Sequence, residues 1–83
     1  MPKERRIQVA RKEILPKVQD YTKTCKEGKP GCRETLAKAV KAYEETKSSF
    51  AQMGIPMPSA NQIGYGAVRD MLNEHARQYG LME

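Results

Sequence analysis

The side chains with the widest chemical repertoire in this chain are two cysteines and one histidine. Cys25 and Cys32 form the two ends of the stretch CKEGKPGC, and His75 lies far along the chain. A structural zinc site needs four Cys or His ligands. The cysteine spacing also differs from the C-x-x-C of thioredoxin-like motifs. These three residues therefore indicate neither a metal site nor a redox motif of that kind.

Two states remain open for the cysteines, a disulfide or a pair of small reduced thiols. A Cys25–Cys32 bridge would close a short loop and stabilise the fold by about 2–3 kcal/mol. The basic start MPKERRIQVARKE has no apolar segment after it, so it is not a secretory signal. No apolar run approaches the ~18 residues that span a bilayer. We therefore expect a cytoplasmic protein that does not enter a membrane, and we favour reduced thiols.

Catalysis has little support in the sequence. The chain contains neither a G-x-x-x-x-G-K-[ST] phosphate loop nor a G-x-S-x-G nucleophile elbow. His75 follows Glu74 directly, and adjacent residues of a helix point in different directions. We expect a protein without enzymatic activity and without a cofactor, in which His75 is a partly buried helical residue.

The elements around these residues are all predicted to be helical. At 83 residues the chain is long enough for one small core, so we expect a single all-α domain. The architecture predicted is an antiparallel hairpin of two long helices with a short and a longer helix packed across it. The predicted ranges are about 3–25 with a kink at Pro16, about 33–53, about 59–63 and about 67–79.

One apolar stripe, in helical phase, marks the first helix. It keeps its phase across Pro16, which favours a kinked helix or two short helices in line over a loop. The glycines and proline of KEGKPG then reverse the chain. A second stripe begins at Cys32, so both cysteines are predicted to face into the hairpin. The first stripe consists of Ile7, Ile14, Val18, Tyr21 and Cys25, and the second of Cys32, Leu36, Ala39, Val40, Tyr43 and Phe50.

The last third of the chain is predicted to contain two helices. Ser59 followed by Gln62 has the pattern of a capping box. A continuous helix would place Ile63 on the opposite side from Leu72, so a break at Gly64–Gly66 is expected. Beyond the break one face carries Val68, Leu72, Ala76 and Tyr79, and Gly80 is placed to cap the helix.

The distribution of charge favours an anionic partner. Residues 1–41 contain twelve Lys and Arg against five Asp and Glu, a net charge of +7, whereas residues 42–83 contain three against five, a net charge of −2. On the first helix a basic group lies opposite the apolar stripe, where it could follow a phosphate backbone or be an ordinary solvated face. That group is Arg5, Lys12, Lys23 and Lys26.

The short and longer helices have the outline of a helix-turn-helix. The longer helix would present Arg69, Asn73 and Arg77 at every fourth position, and Arg and Asn are the side chains best suited to read guanine and adenine edges. Neither Gly64 nor Gly66, taken as the turn glycine, satisfies both the small and the buried positions of that motif. Two packed helices joined by glycines are the alternative.

A protein partner is the other open possibility. The loop MGIPMP crowds Met53, Ile55 and Met57, and Tyr65 lies between two glycines. Such residues make adaptable contacts in some proteins and plug the end of a core in others. Residual apolar positions off the main stripes also leave a homodimer open: Val9, Leu15 and Met71. The function we prefer is a non-enzymatic, regulatory protein that binds DNA or RNA, and the alternative is a helical adaptor or inhibitor of another protein.

Overall fold

The computed structural model describes residues 1–26 and 28–83, and these form four helices and no strand. The all-α prediction is confirmed. No described helix combines the length and the apolar character that a membrane span requires. The elements are α1 Lys3–Lys26, α2 Cys32–Gln52, α3 Ala60–Ile63 and α4 Gly66–Gln78.

The first helix, α1, runs without interruption through Pro16. Of the two possibilities raised by the sequence, two short helices in line do not occur. Pro16 lies on the exposed side of α1, whereas Ala10, Ile14, Val18 and Tyr21 are buried on the other side. Burial of this apolar face stabilises the helix, because tertiary packing contributes more to helix stability than intrinsic propensity does.

The first two helices form the antiparallel hairpin that the stripes predict. Cys25 and Cys32 are joined across its closed end, and the Thr24 and Thr35 hydroxyls are hydrogen-bonded there at 2.6 Å. Of the stretch KEGKPG expected to reverse the chain, Glu27 lies outside the described residues. On α2 the buried face consists of Leu36, Ala39, Val40, Thr46 and Phe50.

Glycine ends α2 as expected. Gly54 has a φ of 67°, and its N–H donates to the Ala51 carbonyl, while the Ile55 N–H donates to the Phe50 carbonyl. This pair of bonds is a Schellman motif, which satisfies carbonyls that the helix end leaves free. The chain then enters the loop that leads to α3.

The break between α3 and α4 is confirmed, and so is the capping box. The Gln62 N–H donates to the Ser59 hydroxyl, and the Ser59 N–H donates to the Gln62 side-chain oxygen. Gly64 has a φ of 117°, a conformation that L side chains rarely adopt, and it ends α3. Glycine is therefore required at the point where the chain turns from α3 into α4.

The buried face of α4 is narrower than the sequence predicts. Leu72 and Ala76 are buried, but Val68 is only half-buried and Tyr79 is 39% exposed. Tyr79 lies at the C-cap of α4, where the Arg33 guanidinium carbon sits 5.4 Å from its ring centroid. Tyr79 therefore contacts a cation at the surface and is not part of the core.

Candidate nucleic-acid interface

The outward face of α1 carries a group of exposed cations. Counted at 100° per residue, Arg5, Lys12, Lys23 and Lys26 fall within about 60° of one another and opposite the buried residues of the helix. All four are exposed. We call this set the α1 basic face. The neutral side chains of Gln8 and Gln19 fall within the same sector.

Among the residues that the structure describes, the α1 basic face has no carboxylate partner. None of its four cations forms an ion pair with an acidic side chain among residues 1–26 and 28–83. The three acidic residues of α1, counted in the same way at 100° per residue, fall outside the sector of the α1 basic face: Glu4, Glu13 and Asp20. The face therefore presents positive charge that remains available to an external anion.

Arg11 lies on the same helix but has an internal role. Its guanidinium donates to the Ile63 carbonyl at 2.9 Å through Nε and to the Gln62 carbonyl at 2.8 Å through Nη2. These carbonyls belong to the end of α3, where a helix leaves acceptors unsatisfied. Sequence reasoning missed this contact. The sequence does contain one indication of this internal role. Arg11 is seven residues before Val18, about two helical turns, so it lies at the edge of the buried stripe and not opposite it.

The three residues of α4 that were predicted to read bases do not all have free, exposed side chains. Arg69 donates to the Asp70 carboxylate at 3.1 Å, and Arg77 lies 3.5 Å from the Glu74 carboxylate. Asn73 is half-buried and faces a cleft instead of open solvent. Carboxylates beside both arginines would repel phosphates, so α1 offers a more favourable surface to an external polyanion than α4 does.

The candidate partner-binding residues divide into exposed and packed side chains. Met53 is 51% exposed, whereas Ile55 and Met57 pack against the core. Tyr65 is only 8% exposed, so of the two possibilities raised for it the packed ring is the one that occurs. These four residues do not form one exposed surface, since Met53 alone is largely accessible.

The positions left open for a homodimer are also mostly occupied by intramolecular packing. Val9 and Leu15 contact the core of their own chain, and Met71 is 39% exposed. Dimerisation remains a prediction, and Met71 is the residue of the three that is accessible to a second copy.

The two cysteines form a disulfide, with their Cα atoms 4.8 Å apart. The sequence favours reduced thiols, and the structure differs from that expectation. Both cysteines are half-buried at the point where α1 and α2 meet. The predicted inward orientation of both side chains brings the two sulfur atoms within bonding reach.

The single histidine is part of the packing between α1 and α4. The Tyr21 hydroxyl lies 2.6 Å from His75 Nδ1, and His75 is half-buried as predicted. Within residues 1–26 and 28–83, no three or more His, Cys, Asp or Glu side chains are grouped so that they could hold a metal ion. The arrangement around His75 is that of a hydrogen bond between packed helices.

Comparisons with known proteins gave no match: no family model matches the chain, and neither a curated protein nor a solved structure is detectably similar to it.

Proposed function

We propose that this protein is a non-enzymatic nucleic-acid-binding protein that contacts phosphates through the α1 basic face. Four exposed cations lie on one helical face, and none of them forms an ion pair with a carboxylate in the described chain. This observation carries the proposal. A lysine-rich face whose charges were paired internally would offer much less to an anion.

The dimensions of the face suit a polyanion better than a small anion. Arg5 and Lys26 are 21 residues apart, which corresponds to about 32 Å along a helix at 1.5 Å per residue. Duplex DNA carries one charge per ~1.7 Å of its axis, so a face of this length meets many phosphates. Each contact releases condensed counterions, which supplies affinity without base recognition.

In this proposal α1 contacts the phosphate backbone of the nucleic acid, and no residue of α4 recognises bases. Arg69 and Arg77 have carboxylates beside them, and this lowers the positive potential that α4 offers to a groove. Binding is therefore expected to depend on ionic strength and only weakly on nucleotide sequence.

The salt dependence of binding tests the proposal directly. Fluorescence anisotropy with labelled random-sequence duplex DNA, duplex RNA and single strands should show binding at low ionic strength. For four phosphate contacts on duplex DNA, log K should fall with log salt with a slope of about −3.6. A K12Q/K23Q variant should make that slope shallower by about 2.

A matched variant controls for net charge. K38Q/K41Q removes two exposed lysines of α2 and changes the total charge by the same amount. It should bind nearly as the wild-type protein does. If both double variants weaken binding equally, the interaction is unspecific attraction to a basic protein and the α1 basic face is not the site. Absence of binding to every probe at low ionic strength would leave the helical adaptor as the better hypothesis.

A further inference from the structure

A cleft of about 330 Å³ lies between α1, α2 and α4, on a different part of the molecule from the α1 basic face. This volume is at the small end of the range of ligand sites, which is about 300–1,000 Å³. Loop residues beyond α2 and Met82 complete its rim. Much of its wall is aliphatic or thioether, as supplied by Ile14, Val18, Val40, Met57 and Leu72.

The polar groups of the cleft are concentrated along α4 and on the facing side of α2. Arg69 and Asn73 are four residues apart on α4 and therefore lie on one side of the helix, and Tyr65, which precedes α4 at its N-cap, lines the same edge of the cleft. Tyr43 lines it from α2. Arg69 is the one charged side chain among the described residues that line this cleft. The site therefore has an apolar wall and one polar edge with a single positive charge.

Most of the polar groups at this edge have hydrogen-bonding capacity left. The side chains of Tyr43, Tyr65 and Asn73 form no hydrogen bond with any residue in the described parts of the chain. The ring of Tyr65 is buried. Its hydroxyl, however, is not one of the buried polar atoms that lack a hydrogen-bond partner, so the oxygen is accessible from the cleft. Burial is the larger cause that raises the pKa of the Tyr65 phenol, and electrostatic repulsion from the neighbouring Tyr43 is the smaller one. The positive charge of Arg69 acts in the opposite direction and lowers this pKa. At neutral pH Tyr65 is thus a neutral O–H donor.

The existing ion pair of Arg69 does not use up its guanidinium. Nε and Nη2 donate to one Asp70 oxygen, while Nη1 has no protein acceptor in the described chain. The Asp70 side chain is 89% exposed, so solvent screens this pair and little free energy opposes its exchange for another anion.

We propose that this cleft binds a small amphipathic monocarboxylate. Its carboxylate accepts hydrogen bonds from Arg69 and from the tyrosine hydroxyls, and its apolar body packs against Ile14, Val40 and Leu72. The single cation of the cleft matches one negative charge, whereas a more highly charged anion would leave charge unpaired against the aliphatic wall. An uncharged ligand would leave Arg69 without a new partner.

The probes are octanoate and octanamide, which share an apolar chain and differ in charge. Titration of the full chain followed by ¹H–¹⁵N NMR should show saturable shifts with octanoate around the cleft. Octanamide should bind at least about 10-fold more weakly, because hydrogen bonds to a charged group are the stronger kind.

Two arginine variants test which positive charge causes the preference for octanoate over octanamide. R69Q should remove the preference for octanoate over octanamide. R77Q should retain it, because Arg77 is also an exposed α4 arginine beside a carboxylate but does not line the cleft. Both arginines are exposed, so neither change removes core packing.

Three results would overturn the proposal: no saturable shift with octanoate, equal affinity for the two probes, or an undiminished preference in R69Q. The experiment contains no nucleic acid and does not involve the α1 basic face. Its outcome is therefore independent of the phosphate-binding proposal.

Discussion

The hydroxyl of Tyr21 and Nδ1 of His75 lie 2.6 Å apart and connect α1 to α4 inside the fold. Their rings meet edge to face, with centroids 5.9 Å apart and planes inclined by 74°. Tyr21 is fully buried, so its hydroxyl needs a partner within the protein, and His75 supplies one. The only histidine of the sequence is thereby assigned to the packing of two helices.

Replacement of Tyr21 by Phe should lower the free energy of unfolding by about 1 kcal/mol. The substitution keeps the ring in the core and removes one hydrogen bond of ordinary net strength. Urea denaturation followed by circular dichroism measures the change. Y79F is the matched control, because Tyr79 is exposed and its hydroxyl has no hydrogen-bond partner in the described chain. Equal stability of Y21F and wild type would show that the bond contributes nothing in solution.

Alkaline pH should destabilise the protein in a way that depends on Tyr21. Burial raises the pKa of Tyr21 above its ordinary value of 10.0, so the folded state holds the phenolic proton more tightly than the unfolded state. The resulting stability is fully present below pH 10 and is lost as the pH rises through the raised folded pKa. Denaturation midpoints between pH 8 and 11.5 should fall less steeply for Y21F than for Y79F. Parallel curves for the two variants would contradict this linkage.

Loss of the Cys25–Cys32 disulfide should cost about 2.5 kcal/mol of unfolding free energy, because the bridge closes a loop of only eight residues. A C25S/C32S variant compared with wild type by urea denaturation measures it. Reduced wild type should resemble the variant. Titration of thiols in denaturant without reductant should find none before reduction and two afterwards. Two thiols before reduction would mean that the reduced state favoured by the sequence is the one in solution.

Replacement of Arg11 by Met should lower the unfolding free energy by about 1–3 kcal/mol. Methionine keeps much of the side-chain stem but cannot donate to the Gln62 and Ile63 carbonyls at the end of α3. Amide hydrogen exchange should accelerate in residues 60–65, where the chain turns into α4. R5M is the control, since Arg5 is exposed and has no acidic or hydrogen-bonding partner in the described chain. An equal effect of R5M and R11M would show that the loss is one of charge or helix propensity.

The sequence by itself determined the helices and their ends. The spacing of Ala10, Ile14, Val18 and Tyr21, the capping pair Ser59 and Gln62, and the glycine at position 64 are local signals, read within one or two helical turns. The four predicted ranges accordingly agree with the observed helices to within one residue at each end. The exposed cations of α1 follow from the same periodicity, because a residue opposite a buried stripe faces solvent.

Only the tertiary structure decided which side chains meet. Arg11 reaches carbonyls more than 50 residues away, and Tyr21 meets His75 across a separation of 54 residues. The polar residues Tyr65, Arg69 and Asn73 acquire a facing apolar wall only when α1 and α2 pack beside α4. Such contacts depend on the relative placement of helices, which follows from packing of the whole core, and helical periodicity contains no information about it. The local pattern therefore determines which side chains can donate hydrogen bonds or carry charge on each helix. Packing of the core decides whether such a side chain is bonded within the protein or remains available to a ligand.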